Sequence, residues 1–599
     1  MAAPVTGLSE SFKYGPKQAA VAAANVRVSV PTYNKSSFTR GGEKMMFNIP
    51  CGKRGQYLNT RMSYLKFEVR VKVNPDSTTI PILGLDGGAH SFIHSLEVYH
   101  GTNMLEQIRE YNSLYQLLLD QGMSAGAGMM ARSIAEGHGH PDVYTTGRTQ
   151  HRVGGLLTPF FTEKRVTRNG KVDDLFGVTA STAGKAAADI YDNVKGPVVI
   201  TKSPEAAAVE ASGNKVGSGT HGALCTNEVV YTFCLPLVSG VVGAQMAKYL
   251  PIGSMISDLR LELEVAPFSQ AVTCMGIITK TTATAVTGEF DSNPDTIVQT
   301  VDDSVVNSSQ RITIDNPELH LEFIEVSADV QMAIESANGG QYVMSYDSFN
   351  NFSNSVEANS QSVTQLIGAK FSSIKGITTT FKDQSHVNDY RFYGVTSRVN
   401  PFQDIPNRRE LVDACKVSNP QGKYNSGVGW RYTIGATHYP PRDVISDQES
   451  FYEALKGLHL IASKEVDGLF DSATWQTSAR SQSSLGGKTV YSDVCLEHGT
   501  FYMAQNFESQ SHKSHLIDSG INTLAQHMYM HLKLPPPKTP FADDGGPKYV
   551  GSHDQTVFVS ALGTTPLTAT FHMPTLAVDH FIHFDGILIC ANGVCSTRF

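Results

Sequence analysis

The sequence predicts an all-β protein made of two consecutive jelly-roll β-sandwiches with long loop insertions and few short helices. Several segments alternate strictly between apolar and polar residues, which is typical of half-buried strands. Phe and Tyr (28 and 23 residues) far outnumber Trp (2), and 52 Gly with 27 Pro predict many turns. With 599 residues the chain is too long for one hydrophobic core, so we expect two or more compact units.

Strict alternation marks the strongest strand candidates. In residues 65–73, Leu, Phe and Val alternate with Lys, Glu and Arg, which predicts one face in a core and one in water. Residues 259–265 alternate in the same way. Residues 319–323 repeat the pattern until it slips at Ile324, where a β-bulge would fit. Less regular strand candidates are residues 92–99, 229–235, 374–381 and 581–590.

Few segments favour helices. Residues 105–119 carry apolar side chains at a period near 3.6, the period of an amphipathic helix. Residues 448–460 place Phe451, Leu455 and Leu458 on one face, and residues 329–336 fit a short helix. Strands therefore dominate the prediction.

The predicted elements divide the chain into an arm and two similar halves. Residues 1–48 are predicted to be an N-terminal arm, residues 49–326 the first jelly roll and residues 327–599 the second. The first half would carry a long insertion at about 121–226 and the second a long loop at about 397–500. No residue-level repeat relates the halves, so their likeness is inferred from the order of elements.

Basic residues concentrate at the start of the chain. Residues 1–61 hold nine Lys or Arg against Glu10 and Glu43, a net charge of +7, which leaves −15 for the rest of a chain of net charge −8. A basic arm can bind an anionic surface such as nucleic acid, or it can be a solvated tail, and both interpretations stay open. The candidate residues for a nucleic-acid contact are Lys13, Lys17, Arg27, Lys35, Arg40 and Lys44.

Catalytic motifs are weak or absent in the sequence. Residues 486–489 end like a phosphate-binding loop, but Gln482 stands where the motif needs Gly, so we expect a surface turn. No G-x-S-x-G nucleophile motif occurs. Adjacent carboxylates at 302–303 and 543–544 leave a glycan hydrolase as the main enzymatic alternative, although such an enzyme needs two carboxylates facing one cleft.

Metal-site patterns are also weak. With 20 His in the chain, close spacings such as 138–142, 512–515, 527–531 and 580–585 arise by chance, and no HExxH motif occurs. Within 580–585, His583 and Asp585 would share one face of a strand, whereas His580 would not. We therefore predict no catalytic, cofactor-binding or metal-binding residues and no cofactor.

Cysteine usage and hydropathy bear on the compartment. The eight Cys form no C-x-x-C motif and follow no signal peptide, which favours free thiols, although Cys590 and Cys595 could form a disulfide. No stretch of 18 uninterrupted apolar residues occurs, so no membrane span is predicted.

A series of short segments follows an order that is similar to a known family. In the first half these segments are residues 90–99, 105–106, 111–114, 233–237, 249–253 and 259–263. In the second half they are residues 371–376, 439–441, 451–455, 519–523 and 583–588. In this order they resemble the double-jelly-roll major capsid proteins of the virophage, polinton-like virus and adintovirus group. The arm and residues 121–226 match nothing in that family.

The resemblance implies a structural protein of a virion and not an enzyme. It implies a homotrimer of pseudo-hexagonal outline, assembled inside the host cell, that builds an icosahedral shell around double-stranded DNA. Neighbouring capsomers, a penton protein and minor capsid proteins would be the partners. The basic arm would face the interior and contact a neighbouring subunit or the genomic DNA, and the two long loops would be intratrimer or tower elements. The alternatives are a two-domain β-sandwich glycan hydrolase and a carbohydrate-binding module of a virion spike.

Overall fold

The computed structural model describes most of the strands of both halves. It describes residues 23–72, 79–85, 88–122, 135–136, 199–201, 228–243, 246, 248–279, 312–358, 360–384, 387, 398–402, 428–457, 480–485, 488–496, 501–508, 520–534, 548–549, 558–559 and 575–599. The α-helices in these ranges are α1 (Tyr111–Gly122), α2 (Phe268–Ala271), α3 (Ala328–Asn338) and α4 (Asp447–Gly457). Short 3-10 helices lie at Thr60–Met62, Ala89–Phe92 and Ile252–Ser254.

Strands account for most of the regular structure. Those of the first half are β1 (Ala23–Pro31), β2 (Ser37–Phe38), β3 (Lys44–Ile49), β4 (Gln56–Leu58), β5 (Tyr64–Lys72), β6 (Thr79–Leu85), β7 (Ile93–His100), β8 (Asn103–Ile108), β9 (Val199–Thr201), β10 (Glu228–Pro236), β11 (Leu259–Val265), β12 (Val272–Thr279) and β13 (Ile312–Val326). Those of the second half are β14 (Gln341–Val356), β15 (Ser362–Ile367), β16 (Ile374–Asp383), β17 (Gly429–Ile434), β18 (Thr437–Val444), β19 (Arg480–Leu485), β20 (Lys488–Leu496), β21 (Met503–Asn506), β22 (Met528–Lys533), β23 (Lys548–Tyr549), β24 (Phe558–Val559), β25 (Leu576–Ala591) and β26 (Val594–Arg598).

Eight strands of the first half form a sandwich of two antiparallel sheets. One sheet has the order β1-β13-β5-β10, with β9 added beyond β10, and the other has the order β3-β11-β7-β8. When the eight strands are numbered in chain order, the first sheet contains strands one, eight, three and six. The second sheet, which packs against it, contains strands two, seven, four and five. Apolar side chains that alternate along the strands, including Phe47, Phe67 and Leu261, are buried in the core.

The second half repeats this strand order. Its sheets are β14-β25-β16-β21 and β15-β22-β17-β18, which again pair the first, eighth, third and sixth strands in one sheet and the second, seventh, fourth and fifth in the other. Eight strands in this order over two sheets define a jelly roll. The predicted fold class, two consecutive jelly rolls with few short helices, is therefore confirmed.

The long connections leave each sandwich at one end. Because neighbouring strands run antiparallel, the connections after the first, third, fifth and seventh strands of each sandwich share an end. The longest connections, residues 109–227 in the first half and 445–502 in the second, both follow the fifth strand, and a helix (α1 or α4) starts each of them. At the opposite end the fourth and fifth strands are joined by only two residues, Gly101-Thr102 and Gly435-Ala436, and both glycines have a left-handed φ of 60°.

A buried polar chain joins the two sheets of the second sandwich. The Thr379 hydroxyl on β16 lies 2.7 Å from the Tyr432 hydroxyl on β17 and 2.8 Å from His580 Nδ1 on β25. Burial lowers the pKa of His580 to about 4, so its ring is neutral at neutral pH. Trp430, also on β17, donates from Nε1 to Ser450 Oγ at 3.1 Å and so ties α4 to the sandwich.

The structure differs from the predicted arm and from the predicted second loop. Residues 23–31 form β1, which pairs with β13 along its whole length, and β3 pairs with β11, so residues 23–48 contribute strands to the first sandwich. The sequence of β1 does carry a strand signal, because residues 26–30 alternate between Val and polar residues, but this run lies within the basic segment that was predicted to be the arm. The predicted loop at 397–500 contains the four strands β17 to β20. Of these, β17 alternates between apolar and polar residues over 430–434, whereas β18, β19 and β20 show no regular alternation.

Two local predictions are also corrected. The predicted helix at 105–119 starts only at Tyr111, because residues 103–108 form β8 and Glu110 takes a left-handed φ of 48° between the two elements. Apolar residues at 105 and 108 fit a helix and a buried strand equally well. The irregularity predicted at Ile324 lies between Asp315 and Glu318, where Asn316 has a φ of 48°.

Phe67→Ala should destabilise the first sandwich by about 3–5 kcal/mol, because the ring is buried against Phe92 and Phe233 and its removal leaves a cavity. The measurement is thermal or urea unfolding of the full chain. Met62→Ala, at a side chain that is 63% exposed, is the control and should change stability little. Equal stability of the two variants would contradict this account of the core.

Candidate functional site at the junction of the two sandwiches

The helix α3 connects the two sandwiches. It follows the last strand of the first sandwich and ends at Gly339, whose left-handed φ of 61° lets the chain turn into β14. From the first sandwich, Arg54 Nη2 donates to Glu335 Oε2 of the helix at 2.7 Å. This contact is exposed and contributes little stability by itself, so the position of the helix depends on buried contacts.

Gln331 makes one such buried contact on the inner side of α3. Its Oε1 accepts from the Tyr57 hydroxyl of the first sandwich at 2.8 Å. Its Nε2 donates to the Tyr342 hydroxyl of the second sandwich at 3.3 Å. One buried amide is thereby hydrogen-bonded to both sandwiches, because an amide can donate and accept at the same time.

Glu106 is the centre of the junction. Its carboxylate on β8 is buried and accepts four hydrogen bonds. Within the first sandwich the donors are the Ser239 hydroxyl, Gly240 N at 2.8 Å and Val241 N at 3.3 Å. The fourth donor is the hydroxyl of Ser348 on β14 of the second sandwich. Burial raises the pKa of Glu106, while these four donors oppose the shift because they stabilise the charged form.

Gly240 allows the close approach that this geometry needs. A Cβ at this position would lie 2.3 Å from the ring of Tyr346 and 2.5 Å from the backbone oxygen of Asp347, both on β14. Only glycine therefore lets the loop after β10 lie against the second sandwich while its N–H reaches Glu106.

A buried ion pair forms a second part of the junction. Lys382 Nζ on β16 lies 3.0 Å from Asp579 Oδ2 on β25, and both side chains are almost fully buried. The same Nζ donates to the Ser113 hydroxyl on α1 of the first sandwich. Burial alone would raise the pKa of Asp579, but Lys382 and the Ser353 hydroxyl hold it below its usual range.

Glu110 adds a further carboxylate to this charge cluster. Burial raises its pKa, while nearby Lys382 opposes the shift and Asp579 adds to it. Its Oε1 lies 3.8 Å from His94 Nε2. Groups from β7, α1 and the second sandwich therefore share one electrostatic environment, so a displacement of either sandwich would change it.

The C-terminal hairpin closes the junction. Asn592 and Gly593 have left-handed φ values of 52° and 79° and form the turn between β25 and β26. The hairpin contacts the first sandwich through Cys595 N, which donates to His100 Nδ1 at 3.3 Å, and through Gly593 O, which accepts from Ile256 N at 2.9 Å.

Cys590 and Cys595 lie opposite each other in this hairpin and form a disulfide. The expectation of free thiols is therefore wrong for this pair, although both alternatives were open from the sequence. The physical reason is the strand register, which places the two cysteines at facing positions. Cys51 and Cys234 are free thiols within the described part of the chain.

Two residues of the predicted nucleic-acid contact are strand residues with carboxylate neighbours. Arg27 lies on β1, and its Nε is 3.7 Å from Glu322 Oε2 on β13. Lys44 lies on β3, and its Nζ is 2.9 Å from both Glu97 Oε2 and Glu262 Oε2. Partial burial would lower the pKa of Lys44, but the two carboxylates raise it above its usual range. The charge of Lys44 is thus matched within the first sandwich.

The other candidates share one carboxylate or fall outside the described part. Lys35 Nζ lies 2.6 Å from Glu43 Oε1, and Arg40 Nε lies 3.8 Å from the same oxygen. Lys13 and Lys17 fall outside the described residues. Each of the four described candidates, Arg27, Lys35, Arg40 and Lys44, thus lies beside a carboxylate, and contact of the six residues with nucleic acid stays a prediction.

The histidine spacings do not converge on a metal site in the described ranges. His580 points to Thr379, whereas His583 stacks on Phe349 with ring centroids 4.8 Å apart. His531 lies on β22 beside Thr364. No group of three potential ligands occurs among the residues searched, and no helix in the described part is long and apolar enough to cross a membrane. Residues 138–142, 512–515, 302–303 and 543–544 fall outside the described ranges.

The sequence did not reveal the junction residues. Glu106, Lys382 and Asp579 show no motif, and each stands among residues that are unremarkable in sequence. The only available signal was a charged residue within a mostly apolar segment, such as Glu106 in residues 105–108. That signal does not identify the partners, because the donors to Glu106 come from two segments, residues 239–241 and Ser348, that both lie far from it in the chain.

Because both sandwiches are jelly rolls, the chain is a double-jelly-roll protein. No protein-family model and no curated protein matches its sequence. Among solved structures it is similar to a chain of the Sputnik virophage determined by cryo-EM, at 10% identity and a TM-score of 0.46, over 100% of this chain and 93% of that one.

Two further solved structures are similar over nearly the whole length. One is VP54 of PBCV-1, at 10% identity and a TM-score of 0.44, over 98% of this chain and 99% of that one. The other is the major capsid protein of mavirus, at 7% identity and a TM-score of 0.41, over 100% and 96%. The assignment of the fold rests on the strand order within the two sandwiches, and not on these similarities.

Ser348→Ala should destabilise the protein by about 1.5–3 kcal/mol, because the buried Glu106 carboxylate loses a donor that nothing replaces. The measurement is urea unfolding at neutral pH. Ser345→Ala, on the exposed side of the same strand, is the matched control and should stay within about 0.5 kcal/mol of the parent. Indistinguishable midpoints for the two variants would show that Glu106 does not depend on the second sandwich.

Lys382→Met should cost about 3–5 kcal/mol at neutral pH, because it leaves Asp579 buried and charged without its partner. The folded pKa of Asp579 lies below its unfolded value, so the stabilisation is present above the unfolded pKa and is lost as the pH falls through the folded pKa.

The penalty of Lys382→Met should therefore shrink as the pH falls toward that range, where Asp579 becomes protonated. Unfolding curves of both proteins over a pH series measure the difference. The double variant Lys382→Met/Asp579→Leu is the control and should recover part of the loss, since it removes both charges. A penalty independent of pH would contradict the ion pair as its cause.

Proposed function

We propose that this chain is a major capsid protein, a structural protein and not an enzyme, that assembles as a homotrimer into an icosahedral shell around double-stranded DNA. The observation that carries the proposal is the repeated strand order, with two jelly rolls fixed to each other by buried polar contacts. Three such chains around a threefold axis would present six similar sandwiches, and hence a pseudo-hexagonal outline that can tile a shell.

The distribution of connections supports this proposal. The longest connections of each sandwich share one end, while the fourth and fifth strands are joined by two-residue turns at the other. Sandwiches that stand side by side can therefore keep short turns on one surface of the shell and extended loops on the other. We propose that residues 109–227 and 445–502 contribute to contacts within the trimer and to a tower on the outer surface.

The proposal also covers location and partners. The protein would reside in the capsid of the virion after assembly inside the host cell, next to neighbouring capsomers, a penton protein and minor capsid proteins. The two basic residues before β1, Lys13 and Lys17, would face the interior and contact the genome or a neighbouring subunit. The boundary between the two jelly rolls at residues 326 and 327 stays a prediction, whereas the limit between arm and first jelly roll at residues 48 and 49 is not kept, because β1 and β3 belong to the first sandwich.

The purified full chain should form a stable trimer with about three times the 64.9 kDa mass of one chain. Size-exclusion chromatography with light scattering measures the mass, and electron microscopy should show particles of hexagonal outline. Assays with a panel of glycans test the hydrolase alternative in the same preparation. A monomer that cleaves glycans would refute the proposal.

Deletion of residues 1–22 should leave the trimer intact and reduce the yield of closed shells, because it removes Lys13 and Lys17 without removing any described strand. The assay is shell assembly from purified protein, followed by electron microscopy. Deletion of residues 1–48 is the contrasting variant and should lower folded yield, since it removes β1, β2 and most of β3. Normal shell yield after the shorter deletion would refute the role of the arm.

A further inference from the structure

An apolar sheet face lies exposed on the far side of the C-terminal hairpin. The first residues of β14, the last residues of β25 and the strand β26 form a three-stranded antiparallel sheet. The register aligns Val343 with Ile589, and Ala591 with Val594. These side chains point to solvent: Val343 is 50% and Val594 48% exposed, and Ile587, Ile589 and Ala591 are partly exposed.

The opposite side of this small sheet is fully occupied. Tyr342, Tyr346 and the Cys590–Cys595 disulfide alternate with the apolar residues and are buried. They face the junction, where Tyr342 meets Gln331 and the Tyr346 hydroxyl donates to Leu105 O. The sheet is thus held from beneath, so its outer face is presented in one orientation. Such preorganisation favours binding because little order is lost on contact.

Charge distinguishes this face from the other outer sheet faces. Its nine outward positions include one charged residue, Arg598 at the border, and the carboxylate at the next outward position of β14, Asp347, is paired with Lys375. The outer face of β15-β22-β17-β18 carries Arg431, Lys533 and Asp443, and the sheet β3-β11-β7-β8 carries Glu97 and Glu262 beside Lys44. Two copies of a chain of net charge −8 repel each other, so they can approach best where acidic side chains are missing.

The size of the face indicates how it would be used. Strand spacing and rise give its nine outward positions an area of roughly 300 Å². A stable interface buries about 800 Å² per partner, so this face would form the apolar centre of a larger contact. Apolar centres with polar rims are typical of interfaces between identical subunits.

We propose that this face, centred on Val343, Ile589 and Val594, is covered by a second copy of the chain in the assembled protein. The inference rests on the proposed function and deepens it, because it names a surface through which copies associate. Neither a polyanion nor a strongly charged partner fits a face with a single cation. A lipid surface is the competing occupant, and the experiment below distinguishes it.

The test compares the full chain with the double variant Val343→Lys/Val594→Lys. Both side chains are half exposed, so the variant should keep the melting temperature of the parent, whereas two buried lysines should weaken association by about tenfold or more. Light scattering over a dilution series measures the association. Leu366→Lys, at an equally exposed apolar residue (52%) on β15, is the matched control and should associate like the parent.

A second measurement keeps the test open if the double variant misfolds. The single variant Val594→Cys, treated with a short bis-maleimide, should yield covalently linked chains above the level of the unsubstituted protein, and Leu366→Cys should not. Equal cross-linking of the two would overturn the inference.

Three outcomes bear on the two proposals separately. If the parent assembles and the folded double variant assembles equally well, the inference fails and the proposed function stands. If the parent floats with phosphatidylcholine–phosphatidylserine vesicles and the double variant does not, the face binds lipid and the inference fails. If the parent stays monomeric at every concentration, both fail.

Discussion

The structure depends on buried charged groups between the two sandwiches whose hydrogen-bond and ion-pair partners come from both sandwiches. A carboxylate or ammonium group removed from water destabilises a protein unless it is paired and hydrogen-bonded. Glu106 is satisfied only when Ser348 of the second sandwich meets the loop that carries Ser239 and Gly240. Lys382 likewise needs Asp579 from its own sandwich and Ser113 from the other. These requirements are met together in one relative position of the two units.

Because these contacts fix that position, the two jelly rolls form one unit. Each sandwich keeps the same strand order, so the chain offers two similar lateral bodies in a fixed relation. Jelly-roll topology also brings the connections after the first, third, fifth and seventh strands to one end, and this is where the chain places its longest excursions. Lateral surfaces and loops are thus separated in space, as the proposed shell role requires.

Charge is used differently on the outside of the molecule. Most outer sheet faces carry matched ions, such as Lys44 between Glu97 and Glu262, and these keep the surface soluble without a strong field. The face around Val343 and Val594 lacks such ion pairs. A disulfide and buried tyrosines pack against its opposite side and hold it in place. The contrast between these charged faces and the face around Val343 and Val594 is a property of the strand register, because a shift of one residue would exchange the buried and exposed side chains.

The sequence by itself determined the fold class and many strands, because period-two alternation in residues such as 65–72 and 259–265 is a local signal of a sheet with one buried face. The same alternation is present in β1 over residues 26–30 and in β17 over residues 430–434, so these two strands also carry a local signal in the sequence. The sequence could not reveal the site. The contacts of the site join segments that are distant in the chain: Ser348 donates to Glu106, Lys382 to Ser113, and Gln331 bonds to both Tyr57 and Tyr342. Their roles depend on how deeply each side chain is buried and on which partner it faces. Those are properties of the packed chain, so only the tertiary structure decided them.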